Sequence, residues 1–600
     1  MKLKSQSGSI LLSTLSFIIL LAVASASILE LTMNSYKLTM RNELRARARA
    51  VAESELENVY FQWVSQIMAA VPASNTPAAL SGIATVGDAP DTTVPPYPPF
   101  LAAHQAQGWG VYRSIGYNSA YDYYDGIIPN TTKQGKVTYI TVRIEVLPPA
   151  SNYFQNELAV RVGRRFASTN TSIFQYGVFY QGDLEMAPGN DITIDGAVAA
   201  NGSIYMASSA PGHLTLDKTV SYLSGGYFNQ DSDGNTVLRK PNTPIGGALI
   251  APIFGTSQAS QVSAMNEPEN LLGGIDATEM VAQRPDLFPT ENDVYRAAIL
   301  PPPADTDEYP TADPLQGDDP TINVSRMYTR AGLRITVNTD GTVAFTKPDG
   351  TDVTALYSGV IASVNSDFYD LREGKNVKMT TVDMGALMTA LQSNYTPGPN
   401  DFNGAIYFNV KSSNATTPRA IKLINGQNVT GRAQLGTTVT TNGGLYVQGD
   451  YNTTSSPLTA DGSSNPAMLM ADQITVLSSG WNDNNATATS PLSDRVASGS
   501  ININAGILTG NTSATATQAS GGAQNLVRYL ENWNGLNVTV YGSLGRLFES
   551  KTFHSYFQQP GVVYGKPAAR NFTFDTNLLK HPPAGSPTTT AFSRGSFFVW

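Results

Sequence analysis

Hydrophobic and polar positions follow three successive patterns along the chain. The first is helical. A short basic stretch, residues 1–8, precedes Ile10 to Leu29, which carry no charge. About 20 such residues suffice to cross a bilayer core of about 30 Å as a helix. The helical pattern continues past Glu30: Leu56, Val59, Trp63 and Ile67 recur at i+3 and i+4 spacing. Glu43–Arg47 and Arg49–Glu53 place opposite charges one turn apart. Pro72 is the first proline and a natural stop. The spacing predicts one helix from about Ser9 to Met68, roughly 90 Å long.

The second pattern has period two. Lys136 to Val146 and Leu158 to Val162 alternate Val, Ile and Tyr with polar residues. They read as an antiparallel pair around Pro148-Pro149. The third pattern begins near residue 170, where very short strands are separated by Asn, Gly and Asp. A motif recurs in Asn201-Gly202-Ser203-Ile204-Tyr205-Met206, Asn403-Gly404-Ala405-Ile406-Tyr407-Phe408 and Asn442-Gly443-Gly444-Leu445-Tyr446-Val447. Asn-Gly supplies positive φ at a tight corner, and two or three alternating residues then make a short strand. Such units stacked repeatedly build a parallel β-helix. A β-sandwich, whose hairpins also use Asn-Gly, is the competing architecture.

These changes divide the chain into a leader (1–8), a transmembrane and amphipathic helix (9–70) and a Pro-rich irregular stretch (71–135). A small sheet (136–170) and a first solenoid-like part (171–255) follow. Next come an insertion with an acidic, Pro-rich loop (256–400) and a second solenoid-like part ending in a cap (401–600). Short helices are expected near 290–299 and over Met384–Gln392. Asn525 to Trp533 reads as an amphipathic helix with Leu526, Leu530 and Trp533 on its core face. The fold class is therefore mainly β, with a long N-terminal transmembrane helix and a β-rich ectodomain, partly a parallel β-helix.

The N-terminus allows three readings. It is a plain membrane anchor, a signal peptide cut after Ala24-Ser25-Ala26, or a leader of the prepilin kind, cut between Gly8 and Ser9 so that the apolar helix stays on the mature chain. The helical run far beyond Ala26 favours the third. Residues 6–57, from Gln6-Ser7-Gly8 to Glu55-Leu56-Glu57, resemble the N-terminal region of PilX-type minor pilins: a Gly, an apolar helix, a polar stretch, then an Arg/Ala/Glu-rich helix. Major pilins carry Glu at the fifth mature position. Counted from Ser9 that position is Ser13, an absence shared with PilX-like and PulK-like components, so the resemblance implies a minor subunit. Mature pilins often begin with Phe, where this chain has Ser9. Pilins pack a sheet on their long helix, which implies that 136–170 is the pilin-like head. A second resemblance runs over about 440–590, through Leu445 to Thr453, Met470 to Ser478, Ala505 to Asn511, Arg528 to Trp533, Tyr541 to Leu544 and Phe572 to Asp575. It is similar to the C-terminal part of large PilX-like envelope proteins and implies no activity.

Composition narrows the chemistry. The chain has 600 residues, no Cys, four His and a net charge of −9. Disulfide scaffolds, thiolate zinc sites and thiol catalysis are excluded, and the acidic balance argues against nucleic acid as a partner. Asp231-Ser232-Asp233-Gly234 opens like a calcium loop, but the twelfth position is Asn242, so the pattern fails. Asp305, Asp307, Glu308, Asp313, Asp318 and Asp319 read as a solvated acidic loop. A β-helix polysaccharide lyase or hydrolase needs paired carboxylates or a basic group on one face; Asp472, Asp483 and Asp494 are available, but nothing in the sequence places two of them together. Lone His554 and His581 read as surface or core residues. No cofactor or metal site is expected, and no catalytic residue.

The cations Lys37, Arg41, Arg45, Arg47 and Arg49 follow the span, against Lys2 and Lys4 before it. A positive-inside count alone would leave the C-terminal side in the cytoplasm. The body, poor in charge and rich in Asn, Ser, Thr and Gly, argues for the outside. The expected role is a structural, non-enzymatic component of a type IV pilus or related pseudopilus. It would sit in the inner membrane before assembly and in the pilus or at the cell surface afterwards. Its partners would be pilin or pseudopilin subunits and the prepilin peptidase acting at Gly8 and Ser9. A glycan-binding surface adhesin and a secreted β-helix carbohydrate-active enzyme are the alternatives.

Overall fold

The computed structural model describes residues 7–69, 109–117, 122–123, 136–147, 158–209, 211–228, 249–265, 277–286, 288–303, 325–394, 402–430, 437–454, 465–514, 518, 520–558, 560–580 and 582–599. The calcium-loop candidate at 229–235, the acidic stretch 305–319, the Pro-rich stretch 71–100, His104 and His581 lie outside the described residues.

Helix α1 (Ser7–Ala69) is unbroken. It contains no proline, and its only glycine is Gly8 in the first turn. Its two halves have different surroundings. Residues 9–40 are exposed throughout. In the second half, Ala48, Val51, Ala52, Leu56, Val59, Tyr60 and Trp63 form a buried stripe, the i, i+3, i+4 pattern of a helix lying on a sheet. The sheet runs β1 (Gly110–Tyr117), β2 (Lys136–Leu147), β3 (Val160–Ser172) and β4 (Thr588–Phe598), in that order, with the two-residue strand Asp122–Tyr123 pairing against the start of β2. All its pairings are antiparallel. Ile140, Val142, Ile144 and Val146 face the helix at period two, together with Val111, Ile115, Val162 and Phe166.

Two strands here correct the sequence reading. β1 lies inside the stretch expected to be irregular, 71–135. Its inward positions Val111, Arg113 and Ile115 alternate cleanly, but over only a few residues. β4 lies in the stretch expected to cap the second solenoid-like part. Thr588 instead pairs with Ser172, and the ladder continues to Phe598 opposite Gly163.

Everything between Ser172 and Thr588 is therefore inserted between two neighbouring strands of the head. The insert is a stack of parallel coils. Val178–Tyr180, Leu184–Met186 and Ile192–Ile194 form the three sides of one coil. Val198–Ala200, Ile204–Met206 and Leu214–Leu216 lie directly on them, and Val220–Tyr222, Tyr227–Phe228 and Ile253–Phe254 come next. Inward residues alternate with outward ones, as in buried Ile192 and Ile194 around exposed Thr193.

The second half stacks the same way. Its broad side runs Leu333–Val337, Ala405–Val410, Thr437–Thr441, Ala467–Ala471, Gly506–Asn511 and Leu544–Glu549. A second side runs Lys375–Asp383, Arg419–Ile424, Gly444–Gln448, Gln473–Leu477 and Val527–Tyr529. Residues 333–337 and 375–383 belong to these ladders, so the second stack starts inside the segment expected to be an insertion, 256–400. The halves join where Leu544–Arg546 pairs in parallel with Val178–Tyr180, making one sheet of eleven strands.

The broad side is buried on both faces. Leu469, Ile507 and Ile406 point into the coils, whereas Met468, Met470, Leu508, Tyr407 and Leu547 belong to a second core outside them. That outer core is covered by the helix Glu291–Ile299, which lies in the expected range, and by Ile173, Phe174 and Leu578 from the two segments that lead to and from the head. The expected helix at Asn525–Trp533 is absent. A single 3-10 turn, Gly522–Asn525, leads into the strand Val527–Tyr529. Leu526, Leu530 and Trp533 are fully buried as anticipated. Val527 and Tyr529 are buried between them, because this strand too is covered on both sides. The helix expected at Met384–Gln392 is present as Met384–Ser393, capped by the Asp383 carboxylate accepting the Ala386 N–H.

Candidate assembly surface

The apolar half of α1 carries most of the exposed large hydrophobic side chains among the described residues. Leu11, Leu12, Phe17, Leu20 and Leu31 are each more than two-thirds exposed. Six of its hydroxyls, those of Ser13, Thr14, Ser16, Ser27, Thr32 and Thr39, bond back to the helix's own carbonyls. Ser13 donates to the Ser9 carbonyl at 2.5 Å, Thr14 to Ile10 at 2.9 Å, Ser16 to Leu12 at 2.8 Å and Ser27 to Val23 at 2.9 Å. Back-bonding of this kind removes the cost of carrying a hydroxyl into lipid or into a helix bundle. The helix is long and apolar enough to span a bilayer. Gly8 and Ser9 sit in its first turn, and Ala24-Ser25-Ala26 in its unbroken middle.

Where α1 meets the head, charge replaces apolar surface. The two expected helical pairs form, Arg47–Glu43 at 2.6 Å and Arg49–Glu53 at 2.7 Å. Being exposed, each contributes a few tenths of a kcal/mol. The structure adds contacts that spacing alone does not reveal. Glu55 is buried against Arg113 of β1 at 3.4 Å. Glu57 accepts from Arg164 of β3 at 2.8 Å and from Arg594 of β4 at 3.0 Å. The Arg594 guanidinium also lies 4.0 Å from the centre of the Tyr60 ring, and Phe592 packs edge-on against Trp63. The last strand of the chain is thus clamped to the helix by charge and by ring contacts. The partners lie 537 residues apart, so no local signal pairs them.

The candidate carboxylates are not assembled into one site. Asp472 is fully buried and accepts from Arg296 Nε at 3.0 Å and from the backbone N–H groups of Lys551, Thr552 and Phe553. It anchors the loop at 551–553 and the helix Glu291–Ile299 to the stack. Asp483 pairs with Lys422 at 2.5 Å and accepts the Trp481 indole N–H. Asp494 is exposed. A different acidic pair lies buried under the tip of the hairpin 361–383. Tyr446 donates to Asp370 at 2.5 Å, while Glu373 accepts from Arg528 at 2.7 Å and from Ser555. Burial, and secondarily the neighbouring Glu373, pushes the Asp370 carboxyl above the usual range. Its Tyr446 contact and the Arg372 and Glu373 N–H groups hold the turn closed. This arrangement fixes a hairpin on the stack. His213 and His554 are exposed. Among the described residues no three His, Cys, Asp or Glu side chains lie close enough to hold a metal ion.

No protein-family model matches the chain, and no curated protein does. Among solved structures, the chain is similar to the competence-associated pilin ComZ from Thermus thermophilus, at 11% identity over 92% of this chain and 97% of that one, with a TM-score of 0.28.

Proposed function

We propose that the chain is a pilin-type structural subunit of a type IV pilus or related pseudopilus. α1 holds it in the inner membrane before assembly and packs among like helices afterwards, with the coiled body carried outside the cytoplasm. Its partners in this reading are other pilin-type subunits and the prepilin peptidase. The chain itself carries out no reaction. The observation that supports the reading is the division of α1: one unbroken helix whose first half is exposed and uncharged from Ile10 to Leu29 and whose second half is locked onto a sheet. A cleaved signal peptide has no use for such continuity, and an ordinary anchor has no need to be continuous with the core of the head. The lack of an acid at Ser13 and the bulk of the insert both favour a minor or tip position.

The test is the mass of the mature N-terminus of the envelope-bound protein. The reading expects a chain that begins at Ser9. A chain that begins at Ser27 has lost the spanning helix, and the proposal fails.

A further inference from the structure

Two charges interrupt the exposed half of α1 before the arginine-rich neck: Glu30 and Lys37. Both are exposed, and among the described residues neither has a hydrogen bond or an ion pair. Their helical neighbours offer no relief. Ala26, Ser27, Met33 and Asn34 surround Glu30 at the i±3 and i±4 positions that meet on a helix, and Met33, Asn34, Met40 and Arg41 surround Lys37. Both charges stand just beyond the apolar span Ile10–Leu29, and an exposed charge there with no side-chain partner in its own chain is available to one on a neighbouring helix.

We propose that the partner is a second copy of this chain, packed parallel to α1 and displaced along it by two helical turns, so that Glu30 of one copy meets Lys37 of the other. The proposal rests on the pilin-type reading above and names a contact within it. Seven residues are 20° short of two full turns, so Glu30 and Lys37 share one face. Their separation along the axis is about 10 Å. A parallel copy shifted by that amount brings the acid and the base to one level, while an unshifted copy sets like charges side by side. The same face continues toward the N-terminus as Ile19, Val23 and Ala26, an apolar strip with a small residue next to the charge, which lets a second helix approach closely. Arg41 lies on this face one turn beyond Lys37 but is already engaged within its own chain.

The absence of cysteine makes introduced thiols unambiguous. Full-length copies carrying Glu30→Cys and Lys37→Cys, with different tags, are expressed together and oxidised mildly in the membrane. The mixed pair is expected to cross-link several-fold more than either like pair. Charge exchange is a second readout. Glu30→Lys and Lys37→Glu each lower recovery of tagged copies in association with one another, and the double exchange restores it. Like pairs that cross-link as well as the mixed pair would reveal an in-register dimer and overturn the proposal. So would the absence of cross-links, or cross-linking only to another protein, in a chain that begins at Ser9. Loss of residues up to Ala26 would instead overturn the pilin-type reading, and the N-terminal mass distinguishes the two failures.

Discussion

Asp575 sits where the chain leaves its last coil. Its backbone N–H donates to the Gly542 carbonyl, and its carboxylate accepts the Asn577 N–H at 2.9 Å. Burial pushes this carboxyl up to about 6, from an ordinary value of 3.8. An acid whose folded value lies above its unfolded value imposes no penalty well below pH 3.8, where it is protonated in both states. It loses stability as the pH rises to about 6, and the loss then stays constant. A shift of this size corresponds to at most about 3 kcal/mol. Asp575→Asn keeps an acceptor for the Asn577 N–H and removes the charge. The variant should match the parent well below pH 3.8 and melt higher than the parent above pH 6, as read by thermal unfolding across that range. Equal melting temperatures throughout would show that the carboxylate is not penalised. Glycines at this scale were legible for a partly different reason than expected. Gly404 has positive φ, as Asn-Gly predicts. Gly202 and Gly443 do not. A Cβ on Gly443 would collide with the Arg419 carbonyl oxygen, and one on Gly202 with Asp183. These two glycines allow one coil to approach the next, a constraint set by residues far away in the chain.

At the level of elements, α1 was readable almost to its ends, because its second half has one partner and one period. The burial of Trp63 is the clearest measure of that fit. Trp63→Ala should cost about 3–5 kcal/mol in urea unfolding of a chain that begins after Met40. Phe61→Ala, two residues away on the exposed side, should change stability by less than about 1 kcal/mol. Equal effects would mean that the helix does not rest on the sheet as described. Strands of the first coils were legible where one face is wet, as in Ile192–Ile194. On the broad side Ala405–Val410 was announced by Asn403-Gly404, but Thr437–Thr441 and Ala467–Ala471 were not. Both are buried at every position, so period two vanishes and a short run cannot be told from a helix. The same double burial turned Val527–Tyr529 from an expected helix into a strand. The stacked architecture was legible over 171–255, but the spacing of its coils was not, because it is carried by single positions, Val178, Val198 and Val220, rather than by Asn-Gly pairs.

For the whole molecule, the placement of the insert makes a strong prediction. Ser172 and Thr588 are paired neighbours in the head, so the coiled body enters and leaves through adjacent positions. Replacing residues 173–587 by Asn-Gly, a two-residue turn suited to an antiparallel hairpin, should leave α1 and β1–β4 folded. Cooperative unfolding of that shortened chain, with Trp63 protected from solvent quenching, checks this. A molten product would mean that the head depends on the body.

The seam between the two stacks has a further consequence, for export. Ser543 donates to the Tyr176 carbonyl across 367 residues of sequence, and the neighbouring ladder joins the first coil to the last. A chain crossing a membrane from its N-terminus presents Val178–Tyr180 long before Leu544–Arg546 has emerged. Through that interval the first stack carries an open strand edge, the kind of template that recruits wrong partners. Long-range closure of this sort is slow. On the pilin-type reading proposed above, the passage of the body out of the cytoplasm is therefore the stage at which the chain most needs a holding chaperone, and the clamp of Arg594 on Glu57 can form only after that stage has ended.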